Sequence, residues 1–163
     1  MKAVSGDLLL EDIAGSIKAN SVSGNVEVVR ADKGAGCESV SGDVEVQNVN
    51  GDVYLKTVSG EISAAQVKRS MEAETVSGDV KLDGITEGKK VDAKSLSSEV
   101  RYRGDIYSDG RYNFKSHSGD IDSEFDITMS GKISKKSVRG SVNDGGADIE
   151  VKTFSGDIHL NRK

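Results

Sequence analysis

The glycines of one short motif recur at a fixed step, Gly24 to Gly42 to Gly60 to Gly78, eighteen residues each time. Around them the chain reads Ser21-Val22-Ser23-Gly24-Asn25-Val26-Glu27-Val28, then Ser39-Val40-Ser41-Gly42-Asp43-Val44-Glu45-Val46, then Thr57-Val58-Ser59-Gly60-Glu61-Ile62. It continues as Thr75-Val76-Ser77-Gly78-Asp79-Val80-Lys81-Leu82 and returns late as Thr153-Phe154-Ser155-Gly156-Asp157-Ile158. A unit of this length cannot bury its apolar face alone, so its copies must stack.

Each unit has two halves. After Ser-Gly-Asp comes a short alternating run, such as Val44 and Val46 around Glu45, which is the period of a half-buried strand. A turn follows, marked by Gly15, Gly34, Gly51, Gly84 or Gly110. A second alternating strand then returns to the next Ser or Thr, with inward pairs such as Ala35 and Cys37, Val53 and Leu55, or Met71 and Ala73. The expected fold is therefore all-β: one parallel β-solenoid with two strands per coil of about 18–21 residues. The right hand is expected because parallel crossovers favour it. Spaced by about 4.8 Å, about eight coils make a rod on the order of 40 Å long. Residues 1–163 read as a single domain that begins and ends inside a repeat, so a longer native protein or end-to-end self-association is expected.

The glycine column, Gly24, Gly42, Gly60, Gly78, Gly119 and Gly156 with Gly6 and Gly140, is expected to form a corner with positive φ. Ser98 takes its place once, and Arg139 breaks the preceding serine column once. Strict alternation would turn Val22, Val40, Val58, Val76, Leu96, Val138 and Phe154 outward. A bend at the Ser or Thr before them would turn them in, and this is the expectation, because an outward ridge would be an aggregation surface. Later the step lengthens, placing candidate excursions at 84–90 and 103–110. Tyr102 and Phe114 fall in inward columns and are expected to widen the core.

Composition narrows the class. Proline is absent, which suits a chain that needs its N–H groups for ladders. The net charge of −5 argues against nucleic acid as a partner. Cys37 is the single cysteine, at an inward position, so neither a disulfide framework nor a thiolate metal cluster is expected. The run Leu8-Leu9-Leu10 is too short for a signal peptide or a membrane span.

The recurring [Ser/Thr]-Val-Ser-Gly-[Asp/Glu]-[Val/Ile] units resemble a bacterial adhesin family, to which auto-transporter head domains look related. The resemblance covers essentially the whole chain. It implies a β-solenoid at the cell envelope or extracellular surface, without known catalysis, and supplies no site residues. With no signal peptide in this chain, a cytoplasmic location is the alternative.

Asp7, Asp43, Glu61, Asp79, Glu99, Asp120 and Asp157 form an acidic column. A calcium ladder needs paired glycines at a nine-residue step, which is missing, so each carboxylate is expected to bind N–H groups at its own corner. No metal or other cofactor is expected. The carboxylates recur instead of clustering, and His117 and His159 stand in different columns without a nucleophile, so catalysis is not expected. The position before each Ser or Thr reads Asn20, Glu38, Lys56, Glu74, Lys94, Lys115, Lys136 and Lys152. Its first part alternates in sign as a self-neutralising ladder. Lys94, Lys115, Lys136 and Lys152 form a candidate track for an anionic cell-wall glycan or membrane surface, set against a plain solvated face. The expected function is a non-catalytic, envelope-associated interaction domain that presents flat faces to a glycan, membrane or protein. The alternatives are a carbohydrate-active β-helix enzyme, a polysaccharide lyase or hydrolase, and a self-assembling scaffold.

Overall fold

A computed structural model describes residues 1–84, 90–104, 110–124, 137–142 and 147–161. Within them lie seventeen strands and no helix. The first coils are β1 (Lys2–Ser5) with β2 (Leu8–Leu10), β3 (Ser16–Ser23) with β4 (Val26–Val28), and β5 (Gly34–Ser41) with β6 (Val44–Val49). They are followed by β7 (Asp52–Ser59) with β8 (Ile62–Val67), β9 (Met71–Ser77) with β10 (Val80–Asp83), and β11 (Lys90–Ser95) with β12 (Val100–Arg103). The later strands are β13 (Gly110–Ser116), β14 (Ile121–Ser123), β15 (Ser137–Val142), β16 (Ala147–Thr153) and β17 (Ile158–Asn161).

The strands form two sheets, the two walls of a β-solenoid, and equivalent residues of successive coils pair in parallel. Cys37 lies beside Leu55, and Val44 beside Ile62. One wall holds nine strands in the order β1-β3-β5-β7-β9-β11-β16-β13-β15, and the other holds eight in the order β14-β17-β12-β10-β8-β6-β4-β2. The two expected excursions fall largely outside the described residues.

Sequential stacking holds only through β12. The last coil in sequence, β16 with β17, slots between the coil of β11 and β12 and the coil of β13 and β14. Val91 thus pairs with Ile149, and Phe114 with Val151. Beyond β13 the chain reverses, and β15 runs antiparallel to it, with Val138 opposite Phe114 and Gly140 opposite Tyr112. This corrects three expectations. Ser137, Val138 and Gly140 do not belong to the corner columns. Arg139, the break in the serine column, marks where the repeat gives way to a closing strand. The Gly156–Ile158 end is no open edge, because β16 and β17 each have a neighbour on both sides.

The core is thin and aliphatic, as the alternation predicts: Val44, Val46, Leu55, Ile62, Val80 and Leu82 are all buried. Full burial of each such side chain contributes about 1.5–3 kcal/mol. Buried alanines stand at Ala19, Ala73 and Ala93, and the rings of Tyr102, on the same coil as Ala93, and Phe114 enter the core of the later coils. Cys37 is fully buried, and burial pushes its thiol up to about 12, so it is inert.

The glycine column is required, but mostly not for positive φ. That conformation occurs at Gly6 and Gly24, with φ of 118° and 147°, and at Gly42 it is already nearly extended. What the column shares from Gly24 onward is close approach: a Cβ on Gly60 would overlap the carbonyl oxygen of Gly42, one on Gly78 that of Gly60, and one on Gly156 that of Ser98. Ser98 itself is accommodated because its hydroxyl oxygen accepts the Gly78 N–H at 2.7 Å. The left-handed column lies at the opposite corner, where Asp12, Asn48 and Gln66 have φ of 51–55° and Gly84 has 61°. With Arg30, at φ 140°, between Asp12 and Asn48, these positions follow the same eighteen-residue step, in residue types that hide it.

Gly60→Val is expected to cost about 3 kcal/mol or more through backbone overlap, whereas Lys81→Ala, which removes an exposed pair with Glu61, costs less than about 1 kcal/mol. Gln66→Gly is expected to stabilise by roughly 0.5–1 kcal/mol, the relief of left-handed strain less the added entropy of the unfolded chain. Urea unfolding midpoints check all three. The coil order has its own test. Oxidation of Asp92→Cys/Glu150→Cys should join β11 to β16, while Asp92→Cys/Asn113→Cys should stay reduced, because β16 stands between those strands.

Candidate functional site

The facing of the valine column decides the character of the surface, and the structure turns it outward. Val22, Val40, Val58, Val76, Leu96 and Phe154 are each 43–55% exposed, and Val4 extends the row at the first coil. The expected bend does not occur. Alternation runs through the corner because the preceding Ser or Thr takes the inward place: Ser21, Ser39, Thr57, Thr75, Ser95, Ser116 and Thr153 are all buried. Several of these hydroxyls donate to the corner carbonyl of the adjacent coil. Thr57 Oγ1 bonds Gly42 O at 3.2 Å, Ser116 Oγ bonds Gly156 O at 3.0 Å, and Thr153 Oγ1 bonds Ser98 O at 3.3 Å. Ser39 makes the same bond to Gly24 O at 3.4 Å. The sequence signal was present: a small hydroxyl fits a tight inward corner that valine would overfill.

The outcome is an apolar ridge along one edge of the rod. In the stacking order of the coils it reads Val4, Val22, Val40, Val58, Val76, Leu96, Phe154 and His117. The His117 ring stacks on Phe154, with centroids 4.7 Å apart and planes inclined by 11°. An exposed serine column, from Ser5 to Ser118, lies directly beside it.

Two residues before the ridge runs the charged column. Lys94, Lys152 and Lys115 are neighbours in that order, and Lys136 lies outside the described residues. The like charges are interleaved with acids. Lys94 meets Asp92 at 3.1 Å, Glu74 at 3.4 Å and Glu72 at 3.6 Å, and its pKa is raised, chiefly by the Asp92 hydrogen bond. Lys152 meets Glu150 at 2.7 Å and holds that carboxyl below its ordinary range. Lys115 pairs with no described residue. In the first half Lys56 bonds Glu74 at 3.4 Å, while Glu38 accepts a hydrogen bond from Asn20 at 2.9 Å.

The acidic column serves the backbone, though of the neighbouring coil instead of its own corner. Asp7 Oδ1 accepts the Asn25 N–H at 2.8 Å, Asn25 Oδ1 that of Asp43 at 2.9 Å, and Asp43 Oδ1 that of Glu61 at 2.8 Å. Asp157 accepts the Asp120 N–H at 2.9 Å in the same way. Where glutamate stands here it turns to a cation, Glu61 to Lys81 at 2.7 Å and Glu99 to Arg101, and the His159 Nε2 lies 3.2 Å from Glu99. Among the described residues, no group of three or more His, Cys, Asp or Glu side chains is placed to hold a metal ion.

A groove of about 540 Å³ crosses the outer face of the nine-stranded sheet, where Gly34 and Gly36 leave a notch beside Tyr54. Glu72 and Asp92, partners on neighbouring strands, stand at its rim with Lys33 and Lys90. The groove is open and holds neither cysteine nor histidine.

Comparison with curated proteins and with solved structures finds no match. The sequence pattern of the family described as Toastrack DUF4097 matches residues 37–161, from within β5 to the end of β17. That span takes in six coils and the closing strand β15, and the coils before it carry the same Ser-Gly corner. The chain, a parallel β-solenoid, belongs to the Toastrack DUF4097 family.

Proposed function

We propose that this solenoid is a non-catalytic, adhesin-like interaction domain of the cell envelope that engages its partner sideways. The observation that carries this is the ridge. Seven apolar side chains and a stacked histidine stand half out of the protein on consecutive coils, in a single line. Isolated exposed apolar residues are ordinary, whereas a continuous patch marks a binding surface. The fold supports rigid presentation, since each ridge residue sits in or beside a strand paired to neighbouring coils. The lysine column beside it provides a second reading of the partner as an anionic glycan or membrane surface, through Lys94, Lys152 and Lys115.

A carbohydrate-active enzyme is the alternative class, and one observation favours it: the Tyr54 groove with the adjacent carboxylates Glu72 and Asp92. Against it stand the openness of the groove and the engagement of Asp92 with Lys94. Release of reducing ends or unsaturated products from acidic polysaccharides, abolished by Glu72→Gln or Asp92→Asn, would establish the enzyme instead.

The interaction reading is tested by retention of the domain on isolated cell envelopes across a salt series. Val58→Lys/Val76→Lys is expected to lose retention. Lys115→Glu/Lys152→Glu reports on an anionic partner, whose attraction of about 1 kcal/mol per lysine would make the double reversal weaken retention more than about tenfold. Loss in the ridge variant alone indicates a protein partner, loss in the lysine variant alone an anionic polymer or lipid. Retention unchanged in both removes the interaction reading.

A further inference from the structure

We infer that the ridge is the seam of a parallel homodimer, in which two solenoids lie side by side about a twofold axis parallel to the rod. The inference rests on the reading of the ridge as a docking face and names its occupant as a second copy of this chain.

Charge selects the occupant and its orientation. The ridge is flanked on one side by the charged column two residues before it and on the other by the acidic column three residues after it. A twofold axis along the rod sets each coil against its own copy and crosses the flanks, so the lysine side of one molecule meets the acidic side of the other. At the levels of Val58, Leu96, Phe154 and His117 a lysine then faces an acid: Lys56 with Glu61, Lys94 with Glu99, Lys152 with Asp157, and Lys115 with Asp120. Lys2 and Asp7 repeat the match at Val4. Acid meets acid only at Val40 and Val76. The antiparallel arrangement, with the axis across the rod, instead lays the acidic column of each copy on that of the other along its whole length, and like charges so placed disfavour it.

Size agrees with a dimer. Eight levels at about 4.8 Å make a seam about 34 Å long. Five residues of chain separate the flanking columns, about 16 Å when extended, so each copy covers about 550 Å² and the pair about 1,100 Å², above the roughly 1,000 Å² that a specific interface needs. Its centre is apolar and its rims are charged, which is the anatomy of a specific interface. The ridge is also self-complementary, as an isologous interface requires.

Light scattering behind a sizing column should give twice the chain mass for the wild type and the monomer mass for Val58→Lys/Val76→Lys, whose dissociation constant rises at least about tenfold. Circular dichroism checks that the variant is folded, as expected because these residues are already half exposed and the core is untouched. Orientation is read by oxidising Val40→Cys and Leu96→Cys, separately and mixed. Parallel pairing yields a disulfide dimer of each variant alone. A disulfide formed only in the mixture means antiparallel pairing and overturns the proposal. A wild type that stays monomeric at high concentration overturns it as well. If the ridge variant then still loses envelope retention, the docking face stands with another occupant. If retention is also unchanged, both readings fall.

Discussion

Coil-to-coil contact at the Ser-Gly-Asp corner sets the rest of the structure. The carbonyl oxygen of one corner residue occupies the space in which the next glycine would carry a Cβ. With no side chain intervening, the coils close to the spacing of a hydrogen-bonded parallel ladder, about 4.8 Å. Two further ladders need that spacing. At Ser39, Thr57, Ser116 and Thr153 the inward hydroxyl reaches a neighbouring corner carbonyl, and the outward Asp or Asn reaches a neighbouring N–H. The inward Ser or Thr, the Gly and the Asp or Asn thus each face another coil, which is why these letters recur together while the strands between vary freely among Val, Ile, Leu, Ala and Met.

The same economy leaves one position without a neighbour. Once the hydroxyl takes the inward corner, the next side chain must point to water, yet it is Val, Leu or Phe in all but one coil of the ridge. A solvent-facing strand position imposes no demand for an apolar residue beyond the modest preference for β-branched ones. Exposure of apolar area on this scale invites association, and proteins commonly blunt it with charge. Here the charge is set beside the ridge, as acids on one flank and lysines among acids on the other. That arrangement limits what can approach without forbidding approach, as expected of a specific docking face.

Most of the fold was legible because periodic constraints are local and additive. The eighteen-residue step, the alternating strands, and the burial of Cys37, Leu55, Tyr102 and Phe114 all follow from one coil repeated. Three features were not legible, each for a physical reason. The ridge depended on whether Ser39 or Val40 would take the corner, a steric choice at one atom that an argument from solubility answered wrongly. The left-handed column of Asp12, Asn48, Gln66 and Gly84 was masked because αL backbone tolerates several residue types at a modest cost, so no single letter repeats. The coil order was hidden because every coil offers the same edge to every other. Sequence spacing records which residues are equivalent and leaves open which coils are neighbours.

That last degeneracy shapes the candidate site. Because the coil of β16 and β17 inserts after β12, Phe154 lies directly between Leu96 and His117, and the rings can stack. Sequential stacking would have set His117 against Leu96 and separated it from Phe154. The insertion also brings Glu150 between Asp92 and Asn113, where it pairs with Lys152 and accepts a hydrogen bond from Asn113 at 2.7 Å. One rearrangement of otherwise interchangeable coils therefore gives the ridge its aromatic end and tempers the lysine column beside it. It also leaves Lys115, on the outermost full coil, as a cation that no described residue neutralises. Among the described residues, the far end of the rod is thus distinguished by an aromatic ridge beside Lys115, while the earlier coils repeat valine between charges of both signs. A partner that reads position along the rod, and not only its edge, has its chemical landmark there.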